Sequence, residues 1–130
     1  MMHKRFLAFS AFSAFIAVLL LAFAAHALPK ILPAQMVASI ETAGYIQLIH
    51  AIALLALWEK AADKDKRFVS GLKLIAVGSG LFSYSIYLMS LKYVEGLLFM
   101  KFIWPITPAG GIVLCAGWFF VGISFIKQKP

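Results

Sequence analysis

FLAFSAFSAFIAVLLLAFAA, residues 6–25, holds twenty residues without a charge. A helix of that length, rising ~1.5 Å per residue, reaches about 30 Å, the thickness of a bilayer's hydrocarbon core. Three similar runs follow. Residues 42–58 carry Gln47 and His50, and Pro33 with the amphipathic residues 34–41 can lead into that helix. Residues 68–91 are interrupted by Lys73, close enough to the end for its side chain to snorkel to the headgroups. Residues 107–126 open with Thr107-Pro108, the form of an N-cap followed by a proline at the first helical position. The expected fold is all-α: one integral membrane domain over residues 1–130, a bundle of four transmembrane helices.

Composition agrees with this reading. Apolar residues make up 63% of the 130-residue chain and charged residues 13%, against a usual ~45–50% and ~25%. A soluble domain of this size leaves about a third of its unfolded surface exposed and could not hide so much apolar area. Disorder needs the opposite balance. The single cysteine, Cys115, excludes an intrachain disulfide and a multi-cysteine metal or iron–sulfur site.

The net charge of +7 does not point to nucleic acid. The basic residues sit in short clusters between apolar runs, the pattern of membrane-flanking charge. With four spans, both termini and the loop 59–67 share one side. That side carries nine cations: Lys4, Arg5, Lys60, Lys64, Lys66, Arg67, Lys73, Lys127 and Lys129. The other carries three: Lys30, Lys92 and Lys101. Positive charge gathers on the cytoplasmic side, so both termini are expected there, in a plasma (inner) membrane. Ala25-His26-Ala27 has the form of a signal-cleavage site, but the preceding run exceeds the roughly 7–15 residues of a signal core. It is expected to stay as a span.

Polar residues inside the spans are the candidates for function. His26 and His50 cannot share an ion: counted along their helices they differ in depth by roughly 18 Å, against ligand bonds near ~2 Å. Glu41 is the better partner for His26, with Lys30 nearby, either as a titrating outer-face site or as a contact that pins the first loop. Gln47 and His50 share a helix face and should bond across the bundle to Ser79, Ser83, Tyr84 or Ser85. Small residues predict where helices touch: Ala76, Ser79, Gly80 and Ser83 on the third span, and Gly111, Cys115, Trp118 and Gly122 on the fourth. Trp58 and Trp104 fall at span edges, where interfacial anchors belong.

No phosphate-binding loop, nucleophile–base pair or paired carboxylates appear, so no enzyme, catalytic residue, metal or cofactor is expected. The preferred reading is a structural or accessory membrane protein that packs against itself, as a homo-oligomer, or against a larger membrane complex. Its surroundings are the lipid bilayer. A small oligomeric transporter or channel is the alternative, although proton-coupled pumps rely on membrane-buried acids and the span cores here lack them. A module binding lipid, quinone or haem is a third possibility.

Four segments together are distinctive: Ala22-Phe-Ala-Ala-His-Ala-Leu28, Glu41-Thr-Ala-Gly-Tyr-Ile-Gln-Leu-Ile-His50, Ser83-Tyr-Ser-Ile-Tyr87, and Pro105-Ile-Thr-Pro-Ala-Gly-Gly111 with Gly117-Trp118. Over about Phe15 to Phe125 the chain resembles the small four-span membrane proteins of domain of unknown function 423. The resemblance implies a bacterial inner-membrane protein with mitochondrial relatives and no established activity. The family pattern usually has a small residue at Leu21, glycine at Ala24 and a basic residue near Gly44. The chain departs from it at all three.

Overall fold

A computed structural model of the chain describes residues 2–63, 65–93, 97 and 102–127. Lys64, Lys101 and Lys129, which entered the charge balance, lie outside the described residues. Four long helices carry the fold: α1 Met2–His26, α2 Ala34–Trp58, α3 Lys66–Ser90 and α4 Ile106–Ile126. Short 3-10 turns follow the first three, at Leu28–Lys30, Glu59–Asp63 and Leu91–Tyr93. All four helices are long and apolar enough to cross a membrane. Lipid offers no hydrogen bonds to the backbone, and helices satisfy theirs internally.

The helix starts have local causes. Pro33, at φ −60° and ψ 144°, turns the chain into α2. That start is the earlier one that Pro33 allows, eight residues before the apolar run, since helix geometry tolerates the polar positions of residues 34–41. Asp65 caps α3, its carboxylate accepting from the Phe68 N–H at 2.9 Å. α4 starts at Ile106 after Pro105, without a side-chain cap. Pro108 falls in the first turn, where its missing N–H costs nothing. Thr107, expected as the cap, instead spends its hydroxyl on Ser85, Oγ1 to Oγ 2.7 Å.

α2 and α3 form the middle of the bundle, with α1 packed on α2 and α4 packed most extensively on α3. One apolar cluster sits toward the chain-terminal end, built on Leu54, Trp58, Phe68, Leu72 and Ile75. A second sits toward the other end, on Ala24, Met36, Val37, Ile40 and Ile86. The outward faces are large and apolar, as at Phe12, Phe15, Ile112 and Phe119. In lipid that is the ordinary condition of a span.

The α3–α4 seam is built on glycine. A Cβ on Gly78 would stand 2.5 Å from the Leu114 backbone nitrogen, and one on Gly110 2.5 Å from that of Phe82. A Cβ on Gly117 would lie 2.7 Å from the Ile75 nitrogen, and one on Gly71 2.8 Å from the Gly117 carbonyl oxygen. Only hydrogen fits there. Dispersion acts over short distances, so backbones that meet this closely gain contact that larger side chains would forfeit.

That seam differs from the expected stripes. Ala76, Ser79 and Ser83 are buried, and the Ser83 hydroxyl donates to the Ala43 carbonyl of α2 at 2.9 Å. Gly80 faces away from the seam, and a Cβ there would meet only ring atoms of Tyr84, at 3.8 Å. A Cβ on Gly111 would come no closer than 3.9 Å to the Phe82 ring, one on Gly122 would meet nothing within 4 Å, and Cys115 is exposed. The cause is one residue of phase. Gly111 follows Gly110, and one residue turns a helix by about 100°.

Candidate functional site

Gln47 is the largest fully buried polar side chain among the described residues, 1% exposed. Its Nε2 lies 3.0 Å from the Ser13 carbonyl oxygen, 3.1 Å from Ser13 Oγ and 3.3 Å from Tyr84 Oη. Its Oε1 accepts the Tyr87 hydroxyl at 2.9 Å. One carboxamide therefore joins α1, α2 and α3. Its two N–H donors are shared among three acceptors, and its carbonyl is occupied. The Tyr84 and Tyr87 rings meet edge to face at 5.9 Å and hold both hydroxyls toward α2.

Tyr84 was among the expected partners; Tyr87 and Ser13 were not. Ser13 stands three residues after Ser10 in an otherwise apolar run, and this paired-serine spacing was the available signal. The other expected recipients spend their hydroxyls elsewhere. Ser79 donates to the Ala76 carbonyl at 3.3 Å and Ser85 to that of Phe82 at 2.9 Å.

His50 is buried one turn further along α2 and does not bond across the bundle. Its Nδ1 lies 2.6 Å from the Ile46 carbonyl of its own helix, within reach because the i−4 carbonyl points along the helix. Its ring meets Trp118 of α4, centroids 6.0 Å apart and planes at 58°. His50 thus sits between α2 and α4, whereas Gln47 faces α1 and α3.

His26 and Glu41 are not brought together as an ion pair among the described residues. His26 is exposed in the last turn of α1, and Glu41 is half-buried seven residues into α2. The early start of α2 is the reason, because it carries Glu41 about 10 Å from that helix's first residue. No group of three His, Cys, Asp or Glu residues gathers among the described residues.

Trp58 departs from the anchor expected of it. It is 5% exposed and stacks on Phe6, with ring centroids 3.7 Å apart and planes at 14°. Its indole Nε1 is buried without a hydrogen-bond partner. α1 begins at Met2, so Phe6 already lies one turn inside the helix and covers the indole. Trp104, 60% exposed, has the accessibility of an interfacial residue.

The arrangement around Gln47 can orient and hold helices. It offers no carboxylate or free base, and the amide's two donors and its carbonyl oxygen are all engaged inside the chain. A cavity of about 320 Å³ borders the two tyrosines, walled mostly by Leu20, Leu28, Ile40 and Leu88.

Four membrane-crossing helices around a neutral, internally satisfied polar centre define a small polytopic integral membrane protein. The chain belongs to the family described as protein of unknown function DUF423, whose profile matches residues 20–111. It is similar to a Haemophilus influenzae protein named UPF0382 membrane protein, 33% identical over 98% of each chain. It is also similar to the Escherichia coli K12 UPF0382 inner membrane protein YgdD, 35% identical over 98% of this chain and 95% of the other. No solved structure matches the chain significantly.

Leu21 of α1 and Gly44 of α2 meet in space. A Cβ on Gly44 would stand 2.8 Å from Leu21 Cδ2 and Cγ. The large residue at one position fills the room left by the missing side chain at the other.

Proposed function

We propose that this chain is a non-enzymatic structural or accessory protein of the inner membrane, with both termini cytoplasmic, that packs against itself or a larger membrane complex. The observation that carries the reading is the closed hydrogen bonding of Gln47. The central buried polar group of the bundle is consumed in joining three helices and leaves no reactive centre there. A second feature supports it: the α4 flank of Cys115 and Gly122 is not used within the chain and remains open to a partner. Small residues on such a flank let another helix approach closely in lipid.

Purification in mild detergent with identification of co-purifying chains tests the reading, alongside Gly122→Leu. A Cβ at residue 122 meets nothing within 4 Å among the described residues, so the subunit is expected to fold while its oligomer or complex weakens. An unchanged assembly removes α4 from the proposed interface. Orientation is tested separately: reporters fused at the C-terminus and in the loop 59–65 are expected in the cytoplasm, and one at Lys92 outside. A cytoplasmic signal at Lys92 breaks the four-span topology.

A further inference from the structure

Between α1 and α3, at the end where both helices begin, the bundle leaves a groove of about 540 Å³ on its lipid-facing surface. Its walls are Phe6 and Phe9 of α1 and Ala76, Val77, Gly80 and Leu81 of α3, with Lys73 at its border. Apolar walls give water no partners, so water does not fill it. In a bilayer the space takes either a hydrocarbon chain or another helix.

Charge decides between these. Lys73 is exposed, seven residues into α3 and therefore about 10 Å from its start. Arg5 precedes Phe9 by four residues and shares its face of α1. Lys66 precedes Lys73 by seven residues, again on one face. Across the sequence of the four helices the one acidic residue is Glu41, which belongs to the other half of the bundle. A second copy laid over the groove would bury Lys73 against helices that bring no counter-charge at that depth. A phospholipid brings an acyl chain for the walls and a phosphate for the cations, the pairing by which basic pockets between spans retain anionic lipid.

We infer that the α1–α3 groove holds an acyl chain of an anionic phospholipid, whose headgroup is bound by Lys73. This site is separate from the Gln47 junction and from the proposed α4 interface.

Trp58 makes the inference measurable, because its indole stacks on Phe6, a wall of the groove. The full chain carrying Trp104→Phe and Trp118→Phe keeps Trp58 as its fluorophore. It is reconstituted in vesicles containing phosphatidylglycerol or phosphatidylcholine with chains brominated near the headgroup, and quenching is measured. Brominated phosphatidylglycerol is expected to quench at about fivefold lower mole fraction than brominated phosphatidylcholine, the preference one lysine supplies. Lys73→Gln should bring that ratio close to one. Gly80→Leu should lower quenching by both lipids, because it fills the groove while its Cβ stays 3.8 Å from the Tyr84 ring. Equal quenching by the two lipids in the parent chain overturns the inference, as does a preference that survives Lys73→Gln. Unchanged quenching in Gly80→Leu does so too. Cross-linking of Val77→Cys between copies, with loss of quenching, would instead assign the groove to a second subunit.

Discussion

Along the α3–α4 seam, Gly71, Gly78, Gly110 and Gly117 let two backbones meet with no side chain between them. Around Gln47 the spacing is bridged instead, by one amide and three hydroxyl-bearing side chains reaching from α1 and α3. The first contact has no adjustable parts, since the clashing atoms are backbone. The second is made of rotatable groups that can find substitutes, as polar groups in a membrane usually do. In lipid, where helices gain nothing from leaving water, close packing should therefore be the more costly of the two to disturb.

The sharpest way to break that comparison is Gly78→Leu. Overpacking typically costs ~1–3 kcal/mol and sometimes more, and here backbone atoms at 2.5 Å cannot move aside. Loss of more than about 3 kcal/mol is expected in a reversible detergent unfolding titration, and Gly110→Leu should match it. Gln47→Leu comes next. Interhelical hydrogen bonds in membranes average ~0.6 kcal/mol each, so losing the contacts to Ser13, Tyr84 and Tyr87 should cost about 1–2 kcal/mol. A double-mutant cycle with Tyr87→Phe sharpens this, and a coupling near zero would mean that the Tyr87–Gln47 bond holds nothing. Ser83→Ala removes one bond, to the Ala43 carbonyl, for about 0.6 kcal/mol. Gly111→Leu ends the series: its nearest neighbour is the Phe82 ring at 3.9 Å, and subunit stability should change by under ~0.5 kcal/mol. If Gln47→Leu proves costlier than Gly78→Leu, the polar junction rather than the seam is the principal joint.

The same contrast explains what could be read beforehand. Four apolar runs matched to bilayer thickness place the helices, because lipid permits few other arrangements of the backbone. Gln47 could be identified as an inward-facing residue, since a buried amide in a span must find partners. Which partners could not, because Ser13 lies thirty-four residues away and its level depends on how the α1–α2 connection folds. The start of α2 was left between two places for a related reason. Residues 34–41 mix polar and apolar positions, and an apolar-run criterion stops at Glu41 although the helix does not.

The glycine seam was missed by phase rather than by type. Gly110 and Gly111 are adjacent, as are Gly78, Ser79 and Gly80 within three residues. A search for small residues four apart therefore finds two neighbouring faces of each helix. The distinguishing signal is the seven-residue spacing shared by Gly71 with Gly78 and by Gly110 with Gly117. Seven residues nearly complete two helical turns and return to one face.

The contact between Leu21 and Gly44 bears on how such a sequence can drift. A side chain added at residue 44 makes the Leu21 side chain shift, because a Cβ there would stand 2.8 Å from its Cγ and Cδ2, whereas trimming Leu21 first leaves a void beside the bare glycine. The two orders of substitution are therefore unequal. Shortening Leu21 gives a weakened but foldable intermediate, whereas enlarging Gly44 first drives a side chain into its neighbour. A larger residue at 44 is thus reached with less disturbance through the small–small intermediate than through the large–large one.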